Sequence, residues 1–325
     1  MRVVFAGSGA FAIPALETLA GSSSRHPLAL VVSRPDRPQG RGRRVEPTPV
    51  RRRALELGLP VETPESANDP GYLDRLDALE ADLCIVADYG EILGKRFRSL
   101  WKIGAFNLHG SLLPAYRGAA PVAHAILRGE TEAGVTLFRI LKELDSGPIV
   151  DVERTAIDRL ESAGELEERL ASLSGTLLAR NLEAFASGGF RETPQDPARA
   201  TYAPKLEKSA GLIDWTLDAA TISNLSRAMN PWPGAHSHLR ASGRAPERTV
   251  FPRLSPAPGA GTEGLEPGAV AEVRKDGFRI ACGGGAVEVL EVQREGKAAL
   301  KAAEYLRGRP LRRGDLFSSA LEGTP

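Results

Sequence analysis

Residues 106–114 read Phe-Asn-Leu-His-Gly-Ser-Leu-Leu-Pro, and this stretch predicts a strand together with the place where it ends. Side chains two residues apart on an extended strand face the same side, so Asn107 and His109 should project together. The apolar residues beside them should face a core. A carboxylate follows downstream at Asp145, within Leu-Asp-Ser-Gly-Pro. An amide, an imidazole and a carboxylate are the groups needed to hold an oxyanion and to move a proton.

Apolar strands and helical segments alternate on both sides of this stretch. Buried strands are predicted at 2–6, 28–32, 82–87 and 105–108. Helical patterns lie between them, and a long amphipathic pattern covers 163–186. This alternation predicts an α/β fold with a doubly wound, mostly parallel, Rossmann-like sheet in a domain at 1–186.

The second part of the chain has a different composition. Residues 187–211 are rich in glycine, proline, threonine and charge, which predicts a linker between domains. Beyond it, at 212–325, one helical segment precedes several short strands, and Lys275-Asp276-Gly277 is a hairpin turn signal. The pattern predicts a small C-terminal β-barrel.

The turn after the first strand, Gly7-Ser-Gly-Ala-Phe-Ala, has the spacing of a dinucleotide-binding turn. Such a site needs an acidic residue after the second strand, where the chain instead reads Val-Val-Ser-Arg-Pro at 31–35. We therefore expect a tight turn that requires small residues, and no NAD site.

Bulk composition excludes several classes of protein. The net charge of +1 favours no partner by itself. No apolar run approaches the length of a membrane span, so we expect a cytoplasmic protein; we also expect a monomer. Cys84 and Cys282 lie far apart in apolar runs and should be buried thiols. The pair His236 and His238 leaves metal binding open, although an exposed strand face is the better interpretation, and we expect no metal.

The run Asn107–Pro121 resembles the signature of folate-dependent formyltransferases. The form with Gly110 after the histidine and Arg117-Gly-Ala-Ala-Pro after the loop is similar to methionyl-tRNA formyltransferases, which act in translation initiation. The resemblance implies formyl transfer from 10-formyltetrahydrofolate, a co-substrate, to the α-amine of initiator methionyl-tRNA. It implies catalytic roles for Asn107, His109 and Asp145, with Asp145 as the candidate neighbour of His109. It also implies that the second domain is an OB-like, tRNA-binding barrel.

The resemblance also places the folate. It assigns folate binding to Ser111, Leu112, Leu113 and Pro114, and the pterin end to the turn Asp88, Tyr89 and Gly90. Asp88, Glu91 and Gly94 depart from the family pattern, which leaves the details of pterin recognition open. Ser111 as a nucleophile is disfavoured, because no G-x-S-x-G elbow surrounds it.

Residues 34–53 hold eight arginines, two acids and four prolines, which predicts a mobile exposed loop. Arginine suits phosphate recognition because its fork donates two hydrogen bonds. The resemblance implies tRNA contacts for Arg37, Arg41, Arg43 and Arg44. Charge alone adds Lys205 and Lys208 in the linker and a second basic cluster, Lys297, Lys301, Arg307, Arg309, Arg312 and Arg313.

Four other functions share some of these features. A formyltransferase acting on an amino sugar nucleotide, or a formylfolate hydrolase, would use the same amide, imidazole and acid. A non-catalytic RNA-binding protein or a dinucleotide-binding regulator would not need them. The basic segments favour a tRNA substrate over a small one.

Overall fold

The computed structural model describes residues 1–39, 44–240, 246–257 and 261–319. The chain divides into two compact units. The first comprises Met1–Pro121, Glu132–Ala156 and Glu167–Ala203, and the second comprises Val122–Thr131, Ile157–Leu166 and Pro204–Pro325. The predicted linker 187–211 is therefore divided between the two units.

Up to Ala203, strands and helices alternate as the sequence predicts. The strands are β1 (Val3–Gly7), β2 (Leu28–Val32), β3 (Arg37–Gln39), β4 (Arg44–Glu46), β5 (Val61–Glu62), β6 (Leu83–Ala87), β7 (Gly104–His109), β8 (Arg117–Gly118), β9 (Glu132–Arg139), β10 (Ile149–Ala156) and β11 (Tyr202–Ala203). The helices are α1 (Ile13–Gly21), α2 (Pro49–Glu56), α3 (Pro70–Asp77), α4 (Lys95–Ser99), α5 (Pro121–Leu127) and α6 (Ala163–Ser187).

The main sheet of the first unit has the order β10-β9-β7-β6-β1-β2-β5. The five strands β7, β6, β1, β2 and β5 run parallel. Strands β9 and β10 continue the sheet beyond β7, and each is antiparallel to the strand before it. Strands β1 and β6 are buried along their whole length, as expected for central parallel strands covered on both faces. The predicted mostly parallel sheet is confirmed.

Side-chain caps explain where two of these helices begin. Thr48 accepts a hydrogen bond from the backbone N–H of Arg51, and Asp69 accepts one from the N–H of Tyr72. Each cap precedes a proline in the first turn, where the missing N–H costs no helical hydrogen bond. Helices α2 and α3 therefore begin at Pro49 and Pro70, whereas the apolar pattern alone predicts helices that begin at Arg51 and Leu73.

The second unit is built around an antiparallel sheet. Its elements are α7 (Ala219–Ala228), β12 (His236–Arg240), β13 (Glu247–Ala257), β14 (Val270–Val273), β15 (Phe278–Cys282), β16 (Gly285–Arg294), β17 (Ala299–Lys301), α8 (Ala302–Gly308) and β18 (Leu316–Ser318).

The strands of this sheet follow the order β14-β15-β16-β13-β12-β18, with β17 paired to β16. A further bridge joins Ala269, just before β14, to Leu316 in β18, so the sheet curls back on itself. Trp215, Phe251 and Phe317 pack ring against ring inside it. The predicted barrel and the hairpin turn at 275–277 are confirmed. None of the helices in the described ranges has the length and apolarity of a membrane span.

Candidate active site

Strand β7 carries the predicted amide and imidazole on one face. Phe106 and Leu108 are 0% and 2% exposed, whereas Asn107 between them retains solvent contact. Asn107 lies between Val86 of β6 and Phe138 of β9, and His109 lies opposite Thr136. The alternation therefore places Asn107 and His109 together on the opposite face of the strand from Phe106 and Leu108, as the sequence predicts.

The loop after β7 is fixed by its own hydrogen bonds. The Ser111 hydroxyl donates to the carbonyl of Ala115 at 2.7 Å, and the Thr136 hydroxyl donates to the carbonyl of Ser111 at 2.6 Å. Leu113 is buried, whereas Leu112 and Pro114 remain partly exposed. Because the Ser111 hydroxyl holds the loop, it is poorly placed to act as a nucleophile. The exposed parts of Leu112 and Pro114 can form an apolar wall.

His109 is oriented by a backbone carbonyl. Its Nε2 lies 2.9 Å from the carbonyl oxygen of Tyr116, which can only accept, so Nε2 carries a proton. In the neutral ring Nδ1 is therefore the unprotonated nitrogen, and it is the position that gains a proton when the ring becomes charged. The hydrogen bond thus leaves Nδ1 as the ring nitrogen that can accept a proton.

Asp145 meets His109 at that nitrogen. Its Oδ2 lies 3.7 Å from His109 Nδ1, and the two side chains are 12% and 7% exposed. The same oxygen accepts a hydrogen bond from the N–H of Gly118 at 2.9 Å. Asp145 adopts φ +48°, a left-handed conformation that aspartate tolerates. The structure therefore brings together the imidazole and the carboxylate that the sequence predicts as partners.

A glutamine that was not predicted holds the Asp145 loop. Gln195 Nε2 donates to the carbonyls of both Asp145 and Gly147 at 2.8 Å. Its Oε1 accepts from the Nη2 and Nε of the buried Arg117, at 2.7 and 3.2 Å. Gln195 lies in the predicted linker, and its partners are far away in the sequence, so no local pattern indicates this role. It joins the loop after β7 to the loop that carries Asp145.

The predicted pterin turn has one residue facing solvent and one facing the core. The carbonyl of Asp88 accepts hydrogen bonds from the N–H groups of Ser8 and Gly9. A Cβ at Gly9 would lie 1.6 Å from Asp88 Oδ2, which explains why the early turn needs glycine. The side chain of Tyr89 is 3% exposed and belongs to the core, so Tyr89 can contact a ligand only through its backbone.

Asp88 keeps solvent contact, but its carboxylate is only partly hydrated. Burial by the surrounding protein raises the pKa of Asp88 to about 6, and the negative charge of Glu167 adds to this shift. Burial likewise raises the pKa of Glu167. A neutral carboxyl can donate a hydrogen bond, whereas a carboxylate can only accept. Asp88 can therefore change its hydrogen-bonding role near neutral pH.

This raised pKa predicts a pH-dependent stability. Between the ordinary aspartate pKa of about 4 and the raised value of about 6, the unfolded chain loses the Asp88 proton whereas the folded protein keeps it, so folding stability falls as the pH rises through this range. Asp88→Asn should therefore increase the free energy of unfolding at about pH 7, by at most about 1 kcal/mol because solvent screens the charge. The gain should vanish at about pH 4. Denaturant titrations at both pH values test this, with the exposed Asp77→Asn as control; an equal gain at both pH values would contradict it.

Glu91 and Gly94, the other departures from the family pattern, have structural roles. Glu91 accepts hydrogen bonds from Arg34, Ser66, Asn68 and the N–H of Ala67. Burial opposes its ionisation, but these hydrogen bonds and the Arg34 charge outweigh burial and lower the pKa of Glu91. Gly94 donates its N–H to Asn68, and a Cβ there would lie 2.8 Å from that side-chain oxygen. Both residues therefore fix the loop after β6.

The described parts of the basic segment after β2 contain regular structure that the sequence analysis does not predict. Strands β3 and β4 pair with each other, and Arg34 and Arg51 form ion pairs with Glu91 and Asp36. Arg37 is exposed. Arg41, Arg43 and the side chain of Arg44 lie outside the described residues.

The other predicted cations differ in their surroundings. Lys205 is exposed. In the second basic cluster, Arg309 pairs with Glu247 and Arg313 donates to two backbone carbonyls. The contacts of these two arginines lie within the barrel and stabilise it. Fewer cations of the cluster can therefore bind phosphate than its charge alone predicts.

Comparisons with known proteins agree with the fold and the site. The formyl transferase family matches residues 1–182, and the formyl transferase C-terminal domain family matches residues 205–310. A methionyl-tRNA formyltransferase from Methylococcus capsulatus is 41% identical over 316 residues, covering 96% of this chain and 98% of that protein. A methionyl-tRNA formyltransferase from Moorella thermoacetica is 39% identical over 317 residues, covering 98% and 99%.

A solved structure shares the architecture at lower identity. HypX from Aquifex aeolicus, in complex with tetrahydrofolic acid, superposes with a TM-score of 0.61 at 18% identity, over 98% of this chain and 50% of that one. This likeness concerns the fold alone, whereas the two curated relatives match almost the entire chain at about twice that identity. The chain therefore belongs to the methionyl-tRNA formyltransferase family.

Proposed function

We propose that this protein transfers a formyl group from 10-formyltetrahydrofolate to the α-amine of initiator methionyl-tRNA. The observation that carries the proposal is the largely buried pair of His109 Nδ1 and Asp145 Oδ2, 3.7 Å apart, together with the partly exposed amide of Asn107 on the strand that carries His109. Membership in the family supports the choice of donor and acceptor. We place the activity in a cytoplasmic monomer.

The reaction begins when the amine attacks the formyl carbon and a C–N bond forms. The carbonyl oxygen becomes an oxyanion, to which Asn107 and protonated His109 can each donate a hydrogen bond. Asp145 Oδ1 has no hydrogen-bond donor among the described residues and can accept the proton from the amine. Collapse of the intermediate breaks the bond to the folate nitrogen, which takes a proton as it leaves.

The three side chains divide this work according to their fixed hydrogen bonds. Tyr116 holds His109 Nε2, so His109 uses Nδ1. Gly118 holds Asp145 Oδ2, so the other carboxylate oxygen faces the incoming proton. In the described residues the Asn107 amide makes no side-chain hydrogen bond, which leaves its N–H groups for the oxyanion. Each group is thus oriented before the substrates bind.

We assign the folate to the loop after β7 and to the turn after β6. Leu112 and Pro114 supply apolar surface, while Ser111 and Leu113 contribute backbone groups. Asp88, Gly90 and the backbone of Tyr89 face the pterin end, where Asp88 can exchange hydrogen bonds with ring N–H groups. HypX, which shares this fold, binds tetrahydrofolic acid, and this supports the assignment.

We assign the phosphates of the tRNA to the basic segment after β2 and to the chain between the domains. The residues are Arg37, Arg41, Arg43, Arg44 and Lys205. Arg37 and Lys205 are exposed and form no ion pair with a described residue, so they can pair with phosphate at little cost.

An assay with two acceptors tests the proposed reaction. The full chain is mixed with 10-formyltetrahydrofolate and either charged initiator tRNA or a nucleotide-linked amino sugar. We expect formylmethionyl-tRNA and free tetrahydrofolate from the first mixture, and no formylated sugar from the second. If only the sugar were formylated, the natural acceptor would be a small amine and not the tRNA. Release of formate without an acceptor would indicate a hydrolase.

Gln195→Glu should lower kcat about 10- to 100-fold, because small displacements of a catalytic group are that costly. The new carboxylate cannot donate to the carbonyls of Asp145 and Gly147, but it can still accept from Arg117. KM for charged tRNA should stay unchanged, while the pH profile of kcat shifts because the Asp145 loop moves. Gln293→Glu is the control, since Gln293 donates only to the exposed carbonyl of Lys297. An equal effect of both variants would contradict a positioning role for Gln195.

A further inference from the structure

The second unit contains an open cleft that the proposed reaction does not use. Its volume is about 450 Å³, within the range typical of small-ligand sites. The lining residues are Lys208, Ser209, Trp232, Pro233, His236 and Arg248. They come from the 3-10 turn Lys208–Gly211, from the loop after α7, and from strands β12 and β13.

Trp232 is the distinctive residue of this cleft. It is 49% exposed, whereas the other tryptophans, Trp101 and Trp215, are 5% and 2% exposed. Within the described ranges no other aromatic ring packs against Trp232. An indole of this size left in contact with water at the edge of a cleft is a ready stacking surface.

The loop that presents Trp232 is held at both ends. Gly234 donates its N–H to the carbonyl of Met229 at 2.8 Å, and Asn230 Nδ2 donates to the carbonyl of Pro252 at 3.1 Å. His236 Nδ1 donates in turn to the carbonyl of Gly234 at 3.0 Å. The exposure of Trp232 therefore belongs to a fixed loop, so a stacked ligand would not have to order it.

The charge of the cleft has one sign. Lys208 and Arg248 line it, and neither forms an ion pair with a described residue; none of the lining residues is a carboxylate. Burial lowers the pKa of His236, and the nearby Arg248 charge adds to this, so the lysine and the arginine carry the positive charge at neutral pH. An aromatic surface beside unpaired cations matches a base attached to a phosphate.

We propose that this cleft binds one unpaired nucleotide of the tRNA, with its base stacked on Trp232 and its phosphate held by Lys208 and Arg248. The base must be unpaired, because a base inside a duplex does not expose a face for stacking. The identity of the RNA rests on the proposed function, whereas the stacking and phosphate contacts do not.

Binding measurements with the full chain test this site. The probes are uncharged initiator tRNA, a short single-stranded RNA, and the same oligonucleotide without bases. Trp232→Ala should weaken tRNA and intact oligonucleotide binding by about 5- to 150-fold, the equivalent of one stacked base. Trp232→Phe should retain most of the affinity, and the oligonucleotide without bases should bind equally to wild type and Trp232→Ala.

The cations are tested separately by salt dependence. Lys208→Ala and Arg248→Ala should each reduce the slope of log affinity against log salt by about one. Lys275→Ala, an exposed lysine of the same unit outside the cleft, is the charge control, and Tyr202→Ala, which removes an exposed ring elsewhere, is the aromatic control. Fluorescence of the buried Trp101 and Trp215 checks that Trp232→Ala is folded.

Two results would overturn the proposal. Wild-type affinity of folded Trp232→Ala for the intact oligonucleotide would exclude stacking, and unchanged salt slopes in both cation variants would exclude the phosphate contact. Formyl transfer by wild type separates this outcome from failure of the proposed function. If wild type transfers formyl groups but Trp232→Ala binds RNA like wild type, only the nucleotide-binding cleft is excluded. If wild type is inactive but its RNA affinity depends on Trp232, only the proposed reaction is excluded.

Discussion

Replacing Asp145 with asparagine should lower kcat for formyl transfer by about 10²- to 10⁴-fold, the usual contribution of a positioned acid–base group. Asparagine keeps the shape of the side chain and can still accept from the N–H of Gly118. It cannot take the proton from the attacking amine, and it cannot stabilise a charged His109. The loss therefore concerns the transition state and leaves the binding of both substrates nearly intact.

Single-turnover assays with saturating charged tRNA measure this effect apart from product release. Glu143→Gln is a matched control, because it removes an exposed carboxylate two positions earlier in the same loop. We expect the control to react like wild type and the KM values of Asp145→Asn to stay close to wild type. A rate for Asp145→Asn equal to that of the control would contradict the role of Asp145.

Asn107→Ala should lower kcat by about 10²- to 10³-fold, as loss of one oxyanion donor does in other enzymes. Asn107 stabilises negative charge that develops only during the reaction. The variant should therefore bind tetrahydrofolate as tightly as wild type does. Asn107→Asp should be slower still, because a carboxylate at this position would repel the oxyanion instead of stabilising it.

Comparison of the two substitutions distinguishes electrostatic stabilisation from packing. Both remove the amide, but only Asn107→Asp keeps the size of the side chain. If Asn107 acted through packing alone, Asn107→Asp would be the milder change. The opposite order is expected here, and titration of each variant with tetrahydrofolate confirms that the folate site is intact.

The sequence predicts much of this site because its main elements are local. The predicted strand 105–108 corresponds to Gly104–His109, since apolar alternation marks both its course and its buried side. The pairing of His109 with Asp145 was predicted from the chemistry of the two groups together with the family resemblance. Their hydrogen bonds to the backbone of Tyr116 and Gly118 could not be predicted, because a backbone partner can belong to any residue type.

Other features depend on contacts between distant parts of the chain. The predicted linker contains β11, which pairs with β8, and Gln195, which holds the Asp145 loop. Polar composition indicates a linker because the apolar signal is weak. Strand pairing, the Gln195 hydrogen bonds and the packing of Phe190 against Phe106 and Phe185 nevertheless fix the part up to Ala203 to the first unit. Tyr89 shows another limit of local patterns: the resemblance assigns this turn residue to the pterin end, and the structure adds that its ring belongs to the core.

The most direct test of the mechanism is a cycle of four proteins: wild type, His109→Ala, Asp145→Asn and the double variant. The measurement is the single-turnover rate of formyl transfer from 10-formyltetrahydrofolate to methionyl-tRNA. If His109 and Asp145 act as one unit on one formyl carbon, the double variant should be about as slow as the slower single variant, because such effects are not additive. If the rate loss of the double variant equalled the product of the two single losses, the two residues would act independently, which contradicts the mechanism. A wild type that forms no formylmethionyl-tRNA would contradict it as well.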